Sequence, residues 1–168
     1  MSDQKKGSFV RYGQVGICEI TDLKTTDQFG KENQYYVLTP LFKTGSVVYV
    51  PCDSAELTAK MLPPLTPEEI EDALTRAATA PAPWIRDFRR RSEASKRALS
   101  SPDRADALIL IKSIRLHNKE IAGEGKRIHT TDDYFLRDAQ ALICHEFSFV
   151  LHRNTEEILA EILRRLDE

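Results

Sequence analysis

The hydrophobic pattern of this chain changes period once, near residue 62, and that change constrains the fold more than any other feature. Before it, apolar residues fall in short runs rich in Val, Ile and Tyr, separated by Gly-bearing segments. After it, from Thr66 onward, they recur at helical spacing. A sheet needs alternate or short apolar runs to cover one face, whereas a helix needs an apolar stripe every three to four residues. The sequence therefore predicts an α+β chain: a strand-rich module over 1–62, then an all-α module of about five helices over 63–168.

In the first module Phe9–Tyr12, Gly16–Ile20, Tyr35–Leu38 and Val47–Val50 read as strands. Gly13, the polar run Lys31–Gln34 after Gly30, and Lys43–Ser46 read as turns, with Pro51 closing the last strand. Short strands between such turns predict a small, strongly bent antiparallel barrel. A barrel of this size buries little surface by itself. In the second module Thr66-Pro67-Glu68-Glu69 opens a helix, with Thr66 as N-cap, Pro67 in the first turn and Glu69 completing a capping box. Ile70, Ala73, Leu74 and Ala77 form its apolar stripe. The Ala-Pro run up to Pro83 ends it, and Trp84 is predicted to begin a second helix reaching about Leu99. Leu108, Ile109, Ile111, Ile114 and Leu116 belong to a third helix, broken at Gly123. Thr130–Asp133 caps a fourth, whose stripe is Phe135, Leu136, Ala139, Leu142, Ile143, Phe147 and Val150. Asn154–Glu157 opens the last, ending near Leu166.

The function classes that composition excludes are several. No run approaches the ~20 apolar residues of a membrane span, and the polar N-terminus carries no secretory leader pattern. Cys18, Cys52 and Cys144 are odd in number and far apart, as in reduced thiols of a cytoplasmic protein. Enzyme signatures are missing. No Gly-x-Gly-x-x-Gly occurs, Gly123–Lys126 is too short for a phosphate loop, and Phe149 stands where a zinc-helix motif from His145-Glu146 needs its second His. Cys144, His145 and His152 admit a metal site on paper; a surface His pair beside a core thiol is the plainer reading. Tyr12, Tyr35, Tyr36, Phe42 and Tyr49 admit an aromatic cage for a methylated lysine, against ordinary cross-strand packing. No cofactor is expected.

Charge distribution is more informative than total charge. The chain carries a net −2, yet Trp84–Arg97 holds Arg86, Arg89, Arg90, Arg91, Lys96 and Arg97 against Asp87 and Glu93, a local 6 − 2 = +4 around the only Trp. On a helix Trp84 and Phe88 would lie one turn apart, with Arg86, Arg90 and Arg97 sharing a second face. The bland interpretation is a solvated helix whose Trp packs in the core. The sharper one is nucleic-acid contact. Guanidinium groups neutralise phosphates, and an apolar wedge inserts at unstacked base steps of the minor groove.

These residues, in this order, resemble the CarD/CdnL family of bacterial transcription regulators, whose N-terminal module is shared with the polymerase-interacting domain of transcription-repair coupling factor. In the first module the resemblance rests on Tyr12-Gly13, Gly16–Ile20, Gly30 before Tyr35–Leu38, and Val48–Pro51. In the second it rests on Trp84 with Arg86, Phe88 and Arg89, on Leu99–Asp103, and on Asp133, Leu136, Ala139, Leu142 and Glu146. It implies a Tudor-like/SH3-like barrel that docks on the β subunit of RNA polymerase, with Lys24 and Tyr49 at the contact positions. It implies a helical module that touches promoter DNA at the upstream edge of the bubble, weakly and largely without sequence preference. Trp84 would be the wedge there and Arg86 and Arg89 the braces, with Arg90 and Arg91 beside them. The outcome implied is a more stable open complex, without catalysis, by a monomer that reaches the nucleoid through polymerase and no membrane. Departures from the family pattern are Tyr49 in place of an Arg, Asp87 in place of a basic residue, and Ser92 and Ser95 in place of Leu. The rival reading is an adaptor that binds polymerase or another protein and uses the basic stretch only as solvated surface.

Overall fold

The computed structural model describes residues 5–28 and 31–167, so Gly30 lies outside the described residues. The chain divides into two compact units, 1–64 and 65–168, each with its own core. The α+β class is what the structure has.

The first unit is one antiparallel sheet of β1 (Phe9–Tyr12), β2 (Gly16–Gln28), β3 (Lys31–Pro40), β4 (Val48–Pro51) and β5 (Met61–Leu62), in the order β4-β3-β2-β1-β5. A 3-10 turn over Gly13–Val15 reverses the chain between β1 and β2, where Gly13 and Gly16 have φ of 50° and 81°. Both angles lie in territory that residues with a Cβ avoid. A bulge between Ile20 and Asp22 bends β2, as a Tudor-like barrel requires. Val10, Cys18, Ile20, Leu38, Val50 and Met61 fill the interior.

Two features differ from the expectation. Lys31–Gln34 is strand, not turn: Thr25, Thr26, Asp27 and Gln28 pair with Gln34, Asn33, Glu32 and Lys31. Backbone ladders need no apolar side chains, and this arm of the hairpin exposes Thr25, Asp27, Glu32 and Gln34, so it carries no alternating signal. In addition, a single helical turn, α1 (Ala55–Thr58), capped by Ser54, separates β4 from β5.

The second unit has five helices: α2 (Pro67–Thr79), α3 (Phe88–Ser100), α4 (Arg104–Ala122), α5 (Thr130–Leu151) and α6 (Thr155–Asp167). Ile70, Leu74, Leu108, Ile111, Ile143, Phe147, Ile158 and Ile162 are the large side chains of its core. The capping box at α2 is present in full: the Thr66 hydroxyl accepts from Glu69 N at 3.1 Å, and the Glu69 carboxylate accepts from Thr66 N at 3.1 Å. Thr66→Ala should therefore lower stability by about 1 kcal/mol, read as a shift in urea midpoint with unchanged slope.

Trp84 does not begin a helix. The chain is extended from 80 to 87, and α3 starts at Phe88 because the Asp87 carboxylate accepts from Arg90 N at 2.9 Å. The helical faces that joined Trp84 and Arg86 to later residues do not exist. At α5 the cap is His129, whose Nδ1 accepts from Thr131 N, and Asp132 is left for another partner. Leu116 is exposed, not core.

Candidate functional site

Two surfaces gather the residues singled out in the sequence, one on each unit. On the first, β2, β3 and β4 place Lys24 opposite Tyr35, and Tyr35 opposite Pro51. The Lys24 Nζ stands 5.9 Å from the Tyr49 ring, and Tyr35 meets Tyr49 edge-on at 6.4 Å. Lys24, Thr26, Tyr35 and Tyr49 line a shallow hollow of ≈ 370 Å³. Thr26 Oγ1 is buried there without a hydrogen-bond partner. Lys24 and Tyr49 are thus neighbours. Thr26 carries no signal in the sequence, because only strand register brings it to the same face. Tyr12 and Tyr36 pack against the barrel core instead. Adjacent Tyr35 and Tyr36 point to opposite faces of β3, so the five aromatics do not converge on one cage.

On the second unit the extended segment 80–87 is tied down along its length. Lys112 Nζ, from α4, donates to the carbonyls of Ala77, Ala78 and Ala80 at 3.2, 2.8 and 2.7 Å. That ammonium satisfies the orphan carbonyls at the end of α2 and suits the negative end of its dipole. Ser113 Oγ donates to Pro83 O at 3.2 Å. Arg91 Nη1, from α3, donates to Ile85 O and Arg86 O at 2.9 and 3.1 Å. The backbone on both sides of Trp84 is therefore held.

The indole of Trp84 is half-buried. The imidazole of His117, from α4, lies flat on it, 3.7 Å between centroids and 4° from parallel. The Arg91 guanidinium carbon stands 4.5 Å from the same indole and 5.4 Å from the Phe88 ring. Phe88 in turn tilts against His129 at 4.6 Å. Arg91 is anchored from its other edge: Nε and Nη2 each donate to one Asp132 oxygen at 2.9 Å, and Asp132 is 1% exposed. A bidentate carboxylate pair fixes the plane of a guanidinium as well as its place.

The predicted basic group therefore divides. Arg91 is committed to Asp132 and to the backbone of the Trp segment, so it is not a free phosphate contact. Arg86 and Arg90 are exposed and have no ion-pair partner among the described residues. Arg89 makes one loose contact to Glu93 at 3.5 Å with its side chain 88% exposed. A contact of this kind contributes little and does not hold the side chain. Arg86, Arg89 and Arg90 thus crowd the start of α3 beside Trp84. A cleft of ≈ 470 Å³ lies between the segment and helices α3 and α4, with Ala94, Ser95 and Ala98 on one wall and Ile109 and Leu110 on the other.

His117, Lys112, Ser113 and Asp132 carried no sequence signal. Each lies about thirty to forty residues from the group it holds, and no local pattern reports such a pair. The thiols offer no reactive alternative: burial pushes Cys144 up to about 11, and burial with the nearby Asp53 charge raises Cys52. Burial also lowers the pKa of His145. Among the described residues no three His, Cys, Asp or Glu side chains come together as a metal set, and no helix is long and apolar enough to cross a membrane.

Comparison with known proteins adds one finding. Residues 5–62, all within the first unit, match the family model of the CarD-like/TRCF RID domain. This domain type points to interaction with RNA polymerase. No curated protein matches the chain.

Proposed function

We propose that this chain, whose first unit is a CarD-like/TRCF RID domain, is a non-enzymatic bacterial transcription regulator that docks on the β subunit of RNA polymerase. In this reading the second unit contacts promoter DNA at the upstream edge of the bubble and stabilises the open complex. The observation that carries it is the Trp84 surface: one aromatic on a held backbone, with exposed Arg86, Arg89 and Arg90 close to it in the chain and, among the described residues, no ion-pair partner for Arg86 or Arg90. Arginines of this kind bind phosphates, and an indole can fill the gap at an unstacked base step. Contacts of this kind go to phosphates and to a parted base step, so on this reading they carry little sequence preference.

The physical logic is avidity. A patch of three arginines holds DNA poorly at cellular salt. Docking of the first unit on polymerase raises the local concentration of the second near DNA. A wedge that binds only where base pairs are already parted favours the open state by its difference in affinity. The protein on this reading works as a monomer in the cytoplasm.

Co-purification with core polymerase, followed by open-complex lifetime with and without the protein, tests the whole reading. A lifetime unchanged by the protein would leave only the adaptor reading. For the docking surface, Lys24→Glu and Tyr49→Asp should each cut polymerase recovery in pull-down by roughly tenfold, the cost of removing a hot-spot contact of about 1.4 kcal/mol. Wild-type recovery for both variants would place the docking edge elsewhere on the first unit.

A further inference from the structure

A wedge side chain is useful only if it is held in the pose that enters the DNA. The usual cost of fixing a free side chain on binding is about 0.5–1.5 kcal/mol. Trp84 has backbone anchors on both sides, from Ser113 to Pro83 and from Arg91 to Ile85 and Arg86. Those anchors fix the main chain and leave the two side-chain torsions of the indole to be set by contacts. One contact sets them by shape: the His117 imidazole, parallel within 4° at 3.7 Å. Offset or parallel stacking of flat rings resists tilting of either ring far more than an aliphatic contact does. His117 in turn stands on α4, whose Ile111 and Ile114, one or two turns earlier, are fully or almost fully buried. The shelf under the indole is therefore carried on a helix that is seated in the core of the unit.

We propose that His117 is the positioning residue of Trp84, a flat shelf that holds the indole in its DNA-facing pose. The assignment rests on the DNA-contact reading above. His117 itself touches no DNA in this scheme; it acts through the ring it supports. His117 covers one face of the indole, and the Arg91 guanidinium carbon also stands over the ring at 4.5 Å. What the half-buried indole offers to a base step is its exposed edge, which fills a gap between parted bases at the junction. It is not threaded deep into a closed duplex.

Trp84 is the only Trp, so its fluorescence reports the stack directly. Solvent access to the indole sets its emission maximum, so removing the ring that covers it should move the spectrum. At fixed pH, His117→Ala should shift Trp84 emission to the red, and His117→Phe, which keeps that face covered, should not. Wild-type emission in His117→Ala would overturn the stacked arrangement without any DNA being present.

Open-complex lifetimes with polymerase then test the role. His117→Ala should lower the stabilisation by about threefold to tenfold. His117→Phe, which restores a flat shelf, should stay within about twofold of wild type. Polymerase pull-down should be equal for all. Trp84→Ala, run in parallel, separates the two failures. If it shortens the lifetime and His117→Ala does not, or lengthens it, the shelf is refuted and the DNA reading stands. If Trp84→Ala changes nothing, the DNA reading falls and the shelf falls with it.

Discussion

Replacing Arg104 by Met will lower the stability of the helical unit by about 3–5 kcal/mol, the largest loss expected of any single substitution here. Arg104 opens α4 and Glu146 lies in α5, with side chains 2% and 1% exposed. Nε donates to Oε2 at 2.7 Å and Nη2 to Oε1 at 2.6 Å, a bidentate pair, while Nη1 donates to Ser101 O at 3.1 Å. Removing the guanidinium leaves a carboxylate that is 1% exposed without its bidentate counter-charge. That residual charge, not the lost attraction, accounts for most of the effect. The double variant Arg104→Met with Glu146→Leu removes both charges and should regain most of the loss. Urea unfolding checks both. A single-variant loss under about 1 kcal/mol would mean that water reaches Glu146, contrary to its burial. Since native units of this size are stable by only about 5–15 kcal/mol, the single variant should be near the edge of folding. It should therefore lose promoter activity for a reason unrelated to DNA contact.

The second large effect is functional. Trp84→Ala should shorten the open-complex lifetime conferred by the protein by about tenfold or more, since stacking on an unpaired base contributes about 1–3 kcal/mol. Polymerase pull-down should not change, because the residues proposed for docking, Lys24 and Tyr49, lie on the other unit. Arg86→Ala and Arg90→Ala should act differently. Each should reduce the slope of log affinity against log salt by roughly 0.9 if it loses one phosphate contact. Arg91→Ala should behave as neither. It breaks the Asp132 pair and frees the backbone of Ile85 and Arg86, so its main signature is lower stability. A gel shift on fork-junction DNA against duplex reads these variants. Equal salt slopes for wild type, Arg86→Ala and Arg90→Ala would leave the basic stretch as solvated surface only.

The parts of the fold legible in sequence are those written in neighbouring residues. Thr66 and Glu69 are three apart and make their capping box with no help from elsewhere. The α5 stripe through Ala139, Ile143 and Phe147 is buried as its spacing requires. Most strands of the first unit were legible, because β-rich runs there are separated by turn glycines. The Trp segment was misread for a physical reason. Pro83-Trp84 resembles a helix start, but the stronger signal is Asp87, three residues before Arg90, whose carboxylate accepts from Arg90 N. An Asp there caps, and that moves the helix start past Trp84. The polar arm of the β2–β3 hairpin carries no apolar alternation: one face exposes Thr25, Asp27, Glu32 and Gln34, and the other holds the polar Thr26 and Asn33.

The sequence alone determined the change from strands to helices, the capping box of α2, the core stripes and the position of an aromatic among arginines. Each depends on spacing within one turn or one strand pair, where chain connectivity already brings the groups together. Only the tertiary structure decided which arginines remain available. Arg91 goes to Asp132, 41 residues away, and Arg104 to Glu146, 42 residues away, while Arg86 and Arg90 stay in solvent. It also decided that His117 lies under Trp84. Such partners are chosen by helix packing, which sets distances between groups that the linear order leaves free.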